Sequence, residues 1–364
     1  MKTRGRGFEW ALLGVLLSGL LPGTVPALDP YAGIEPYWML LHEPSVLSDL
    51  KLTAGQRKAF INVTDELDLK FFPLRNLNAQ QVHAGIDRLT EEAQRRLGEI
   101  LQPAQGKRLQ EIHWRKLGMA ALLRNDVIQR LKLEESQTKQ IERIIQETQA
   151  AVAELSQQAA SAKDRDAIDK RYVALRTDEQ KTILGLMKPE QQAAFRSLLG
   201  PDFDESRLGQ PALKVPELID TKDWINSEPL RLGEQRGKVV VVHFYAADCI
   251  NCIRNYPWYR EWHQRFKDKP VALIGIHTPE TEAERDASAV RKKAADAKLE
   301  FPILIDGRNE NWNAWGNSMW PSVYVIDKRG YLRFFWPGEL KWQGNDGEKY
   351  MRERIEQLLL EPAA

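Results

Sequence analysis

The chain of 364 residues has two cysteines, Cys249 and Cys252, set three positions apart in "HFYAADCINCIRNYP" (residues 243–257). A pair so spaced suits a redox couple, half of a metal site or a passive clip. The metal reading fails on count: a structural zinc takes four ligands, and there is no second C-x-x-C to add to His243, His263 and His277. A clip is a poor reading too, because so short a loop constrains the unfolded chain little. Thiol–disulfide exchange remains, and since a dithiol carries two electrons itself, neither cofactor nor metal is expected.

Such chemistry needs a place that favours the ionised sulfur. "KVVVVHFY" reads as a buried strand and Ile250 to Phe266 as a helix, so both cysteines fall at a strand-to-helix junction. Cys249 then stands at a helix N-terminus, where unpaired N–H groups and the macrodipole favour thiolate over thiol. Cys252, one turn further in, is shielded and placed to attack a mixed disulfide, so Cys249 is expected to attack and Cys252 to resolve. Beyond them "VALIGIH" and "FPILI" read as strands, Glu282 to Ala297 as a helix, and a short helical piece surrounds Trp312. "SVYVID" and "YLRFFW" follow around the turn "KRG", and Glu348 to Leu360 closes the chain as a helix. Strands alternating with helices and ending in a hairpin plus helix imply a central mixed sheet covered on both faces.

The stretch "WINSEPLRLGEQRGKVVVVHFYAADCINCIRNYPWYREWHQRF", with "IGIHTPE" and "WGNSMWPSVYVIDKRGYLRFFWPGE" after it, resembles a thioredoxin-like domain of the redoxin/TlpA type. It is most similar to the C-I-N-C kind, such as the C-terminal domain of DipZ proteins, over roughly residues 211–362. The resemblance implies a thiol–disulfide oxidoreductase outside the cytoplasm, with protein thiols or disulfides as partners and an unidentified electron donor or acceptor. It implies that Pro321 is the cis-proline before a central strand, opposite the dithiol, and that Trp320 offers its backbone to substrate. Since only about 5–6% of X-Pro bonds are cis, that implication is sharp. The buried acid of thioredoxin, six residues before the first cysteine, is replaced by His243, which could shuttle the Cys252 proton or be a plain core residue. Asp248 replaces the tryptophan before the nucleophile, where a carboxylate would oppose the thiolate. Ile250 and Asn251 replace Gly-Pro, and the three are expected to face substrate and to tune the redox potential. Neither cysteine follows the P-x-x-x-[ST]-x-x-C pattern of a peroxidatic thiolate.

From Leu28 to Leu199 the texture is helical: no proline occurs between Pro103 and Pro189, and Gln, Glu, Ala, Arg and Leu dominate. Ile141, Ile144, Ile145, Val152 and Leu155 form one stripe at helical spacing, expected to pack on neighbouring helices. "VLSDLKLTAGQ" recurs as "VIQRLKLEESQ" 81 residues on, and "LQPAQ" as "MKPEQ" 86 residues on, an internal duplication. Thr53 and Gln56 have the spacing of a capping box, and Pro103 and Pro189 suit first helical turns. The pentamers resemble the L-T-x-x-Q motif of Spy/CpxP-like periplasmic helical proteins, with "LTAGQ" the full match. "GPDFDESRLGQPALKVPEL" reads as a linker. The expected architecture is therefore α + α/β: a signal peptide over 1–27, a helical domain over 28–205 and a thioredoxin-like sandwich over 206–364.

Lys2, Arg4 and Arg6, the apolar run Trp10 to Leu21 and the small residues up to Ala27 make the signal-peptide reading, with export to the periplasm or cell envelope. An uncleaved segment would be a membrane tether. Without residues 1–27 the formal net charge moves from +1 to −1, which gives no electrostatic case for nucleic acid. A competing reading makes the helical half a chaperone or binding module that presents clients to an accessory redox domain.

Overall fold

The computed structural model describes residues 36–159, 165–205, 208, 212–219, 222–342 and 344–362. The expected signal peptide lies outside the described residues. Helices come first, as composition implies: α1 (Pro36–Leu41), α2 (Pro44–Asp49), α3 (Ala54–Phe71), α4 (Ala79–Gly98), α5 (Pro103–Leu117), α6 (Asn125–Leu131), α7 (Glu135–Ala159), α8 (Arg165–Leu186) and α9 (Pro189–Leu198). Among the described residues, no helix is long and apolar enough to cross a membrane.

The two recurring stretches share paired glutamines. Thr53 and Gln56 form the expected capping box, with Gln56 N–H donating to Thr53 Oγ1 at 3.2 Å and Gln56 Oε1 accepting from Thr53 N–H at 3.1 Å. The Gln56 amide also donates to the Ile100 carbonyl at 3.0 Å and to Gln105 Oε1 at 2.8 Å, while Gln105 donates to the Lys51 carbonyl at 3.4 Å. In the second copy Gln137 donates to the Leu186 carbonyl at 2.7 Å and to Gln191 at 3.0 Å, and Gln191 donates to the Lys132 carbonyl at 3.1 Å. Each copy thus ties two helix starts together by letting a glutamine at one satisfy the free carbonyl beside the other. Lys51 and Lys132, which present those carbonyls, share the left-handed backbone at φ 49° and 50°.

The sheet follows: β1 (Leu213–Lys214), β2 (Trp224–Ile225), β3 (Val239–Tyr245), β4 (Val271–His277), β5 (Ile303–Ile305), β6 (Ser322–Ile326) and β7 (Tyr331–Pro337), in the order β1-β7-β6-β3-β4-β5-β2. β3, β4 and β5 run parallel, and the pairs of β6, β7, β1 and β2 are antiparallel. α10 (Ile250–Arg265), α11 (Ala287–Asp296), α12 (Glu310–Ala314) and α13 (Gly347–Leu360) accompany it, with a small hairpin of β8 (Lys341–Trp342) and β9 (Asn345–Asp346). Every residue of β3 is buried, which explains its unbroken apolar run. Val239, Val241 and Tyr245 share a core with Tyr259 and Trp262 of α10 and with Met351, Ile355 and Leu358 of α13. On the other face the Phe244 ring meets Trp312, Trp315 and Tyr324. The helix expected over Glu282 to Ala297 is broken: Glu282–Arg285 is a 3-10 turn, and Asp286 caps α11 by accepting the Ser288 N–H at 2.9 Å.

Contacts divide the described residues into two compact units, those up to Leu109 together with those from 212 onward, and those from Gln110 to 208. The helical region expected as one domain over 28–205 is therefore shared between them. In the first unit α3 is fastened to the sheet edge through polar atoms: Asp68 Oδ2 accepts from the Lys214 N–H and from His42 Nε2, both at 2.7 Å, and Tyr331 OH donates to Asp65 Oδ1 at 2.9 Å. Asp68 is fully buried. Gly316, at φ +56°, lets the Phe72 carbonyl take the place where a Cβ would stand. The second copy carries Gln146, Gln149 and Ala153 where the first carries Asp65, Asp68 and Phe72. Removing one member of a buried pair leaves the other unpaired, so Asp68→Ala should lower the unfolding free energy by about 3 kcal/mol. Urea denaturation measures this, and a loss within the range of ordinary surface substitutions would show that the fastening carries no weight.

Candidate active site

Strand register assembles the site. Phe244 pairs with Ser322, which sets Pro321 beside the end of β3, and Tyr245 pairs with His277, which brings the loop after β4 to the same end. Cys249 is the N-cap of α10 in extended conformation (φ −68°, ψ 113°), and its carbonyl accepts the N–H groups of Cys252 and Ile253, both at 3.0 Å. Both sulfurs are free thiols; Cys249 is 9% exposed and Cys252 is fully buried. A hydrogen bond from the Cys252 thiol, with the backbone N–H groups of Cys252 and Asn251, outweighs burial and the Glu280 charge and brings Cys249 down to about 7. Burial pushes Cys252 far above an ordinary thiol, and its hydrogen bond to Cys249 adds to that. One sulfur is thus ready to ionise near neutrality while its neighbour keeps its proton.

The Trp320–Pro321 peptide is cis, as the resemblance implies. Trp320 is half-buried; its indole N–H donates to the Thr278 carbonyl at 3.1 Å and its ring stacks on Trp312 at 4.0 Å between centroids. Asp306 holds that wall from behind, accepting from the Trp312 N–H at 2.9 Å and the Thr278 hydroxyl at 3.3 Å. Ile250 is 58% exposed and Ile253 41%, so the first turn of α10 presents apolar surface next to the nucleophile. Asn251 is half-buried beside them.

His243 is placed differently from a proton shuttle. Its ring is fully buried, stacked on Tyr259 at 3.9 Å, and neither nitrogen has a hydrogen-bond partner among the described residues. Burial takes it down to about 3, so near neutrality the imidazole stays uncharged and accepts a proton poorly. The geometry favours the core-residue alternative. The Asp248 carboxylate does not stand alone against the thiolate: it pairs with Lys293 Nζ at 2.5 Å.

Sequence reasoning missed Glu284. Its carboxylate is 1% exposed and accepts from Asp248 N–H at 2.7 Å, Glu280 N–H at 2.9 Å and Thr281 N–H at 3.1 Å. Burial opposes its ionisation, yet His277 and these N–H groups prevail and hold it at about 2. It therefore joins the loop before Cys249 to the loop after β4. Read as the start of a long helix, Glu284 looks like one more solvated charge; the break at Asp286 is what turns it inward.

Residues 210–335 match the family model described as the AhpC/TSA family. Protein DipZ of Mycobacterium bovis is 39% identical over 128 residues, 34% of this chain and 18% of DipZ, so the chain spans under a fifth of that relative. Thiol-disulfide oxidoreductase YkuV of Bacillus subtilis is 30% identical over 158 residues, 43% of this chain and 98% of YkuV. Among solved structures, a thioredoxin-like protein in the oxidized form is 28% identical, with a TM-score of 0.35 over 40% of this chain and 94% of that one.

Held at about 2 against 4.5 when free, Glu284 contributes stability that is complete above pH 4.5 and lost as pH falls through 2. Thermal midpoints of the wild type should therefore drop more steeply between pH 4.5 and 2 than those of Glu284→Gln. Parallel profiles would show that the carboxylate is not held ionised.

Proposed function

We propose that this chain, which belongs to the AhpC/TSA family through residues 210–335, is a thiol–disulfide oxidoreductase that exchanges disulfides with protein substrates through Cys249 and Cys252. The observation that carries this is the division between the two sulfurs, one at about 7 at the start of a helix and the other buried and held protonated.

Acting as reductant, the Cys249 thiolate attacks one sulfur of a partner disulfide, the partner's S–S bond breaks, and a mixed disulfide forms while the other partner sulfur leaves as thiolate. Cys252 then gives up its proton, which ends on the departing partner thiolate, and attacks Cys249. The partner thiolate formed first takes from water the proton that Cys249 lost on ionising, so the products are a Cys249–Cys252 disulfide and a dithiol partner, two electrons having passed to the partner. The reverse sequence oxidises a dithiol, and a second donor or acceptor resets the pair. The low value of Cys249 supports its role as attacker, because a thiol with a value near ambient pH reacts fastest. Trp320 and Pro321, with the exposed Ile250, form the surface on which a partner segment would lie. Asn251 and Asp248 flank it. His243 is left to the core.

We place the activity outside the cytoplasm, in the periplasm or cell envelope, on the strength of Lys2, Arg4, Arg6 and the apolar run after them. An uncleaved run would serve as a membrane tether. A compartment that permits disulfides suits a dithiol that must cycle.

Wild-type protein equilibrated in glutathione buffers should show a single two-electron transition, followed by thiol labelling. Cys252→Ser should accumulate mixed disulfides with a reduced and re-oxidised client, visible on non-reducing gels, and Cys249→Ser should form none. Absence of exchange in the wild type overturns the proposal. So does trapping that persists in Cys249→Ser.

A further inference from the structure

Asp248 stands immediately before the nucleophile and is fixed from two sides. Its N–H is held by the buried Glu284 carboxylate at 2.7 Å, so the peptide cannot rotate the side chain freely away. Its carboxylate meets Lys293 Nζ at 2.5 Å. The rotation of α11 fixes where Lys293 emerges, since Val290 and Ala294 are buried and Asp286 pins the first turn through Ser288. Lys293 lies in the last turn of α11, where the helix macrodipole also favours a cation. A helix is thus held so that its C-terminal ammonium covers the one carboxylate adjacent in sequence to Cys249.

An unpaired carboxylate there would disfavour the thiolate, as Glu280 from the loop after β4 already does. The other titratable groups that bear on the dithiol, Tyr245, Tyr256 and Tyr259, are buried phenols kept neutral by desolvation. Glu284 is ionised but occupied by its N–H donors. Lys293 is a cation paired with Asp248, in the nucleophile's own loop.

We propose that Lys293 is a positioning residue of the redox site, which neutralises Asp248 and so governs the reactivity of Cys249 toward a disulfide. The inference rests on the exchange chemistry proposed above, and one experiment separates the two. In full-length Cys252→Ser protein, where Cys249 is the remaining cysteine, the rate of alkylation by iodoacetamide is followed against pH. Lys293→Ala should slow alkylation at about pH 6 by about two- to threefold, the effect of one exposed charge screened by water. Lys293→Arg should match the parent, and Asp248→Asn should react faster than the parent.

The double variant, Asp248→Asn with Lys293→Ala, should react at about the parent's rate, because both charges of the pair are then gone. The differences should shrink in about 1 M salt. A Lys293→Ala rate equal to the parent overturns the proposal, and so does a double variant no faster than Lys293→Ala. Should Lys293→Ala fail to fold, Asp248→Asn decides alone, and an unaltered rate there overturns it as well. A parent Cys249 that shows no thiolate reactivity at any pH instead removes the exchange chemistry itself.

Discussion

Everything at the site depends on where β3 stops. It is the strand that joins the parallel part of the sheet to the antiparallel part, and its partners on both sides are set by register: His243 against Gly275 and Val323, Phe244 against Ile276 and Ser322. A slip of one residue would turn Val239, Val241 and Tyr245 out of the core they share with α10 and send Phe244 there instead. With both faces buried, it is the misfit of side chains of different size that penalises the slip. Because the register is fixed, the ends of β3 and β4 and the beginning of β6 coincide, and the three loops that leave them have to meet. Chemistry is therefore placed by packing some distance from the sulfurs.

The meeting loops bring more negative than positive charge, and the fold deals with each acid differently. Asp306 is buried and spent on the Trp312 and Asn311 N–H groups, so it shapes the Trp312–Trp320 wall without facing the dithiol as a free charge. Glu284 is buried and spent on three N–H groups of the two loops it joins. Asp248 is exposed and paired with an ammonium, and Glu280 is exposed and bears on both sulfurs. Against this, Cys249 has the N–H groups at the start of α10 and the Cys252 thiol. Those directed hydrogen bonds outweigh exposed charges that water screens, which is why Cys249 is drawn down in acidic company.

What was legible in the sequence follows the range of the interactions involved. Strand runs, the helix after "ADC" and the Thr53–Gln56 box are local patterns, and the structure has them where the patterns place them. The cis Trp320–Pro321 bond came from resemblance in several separate motifs rather than from any property of "MWPSV" itself. Glu284 and Lys293 escaped because their partners lie 36 and 45 residues away and nothing in "TEAERDASAVRKKAAD" marks one acid or one lysine from the rest. His243 occupies a position where an acid would be functional, yet the ring is enclosed by Tyr245, Tyr259 and Phe301, and only the packed neighbourhood reveals that. The division of the helical region escaped for the same reason, since composition is uniform across 28–199 and the difference lies in a few polar side chains.

Those side chains distinguish the two recurring stretches. The glutamine pairs are nearly superimposable in their logic, Gln56 with Gln105 and Gln137 with Gln191, so both copies keep the joint that holds their helices. They part company on the face of the helix after the first glutamine. In the first copy Asp65 and Asp68 meet Tyr331 and the Lys214 N–H, and the Phe72 carbonyl lies against Gly316, a few residues before Trp320. In the second copy the matching positions offer two glutamine amides and an alanine, which present neither the buried carboxylate nor the large ring. The internal joint and the docking face are therefore separable properties of one repeat. The first stretch belongs to the body that carries the dithiol, and the segment from α1 to α4 is a wall of that redox unit.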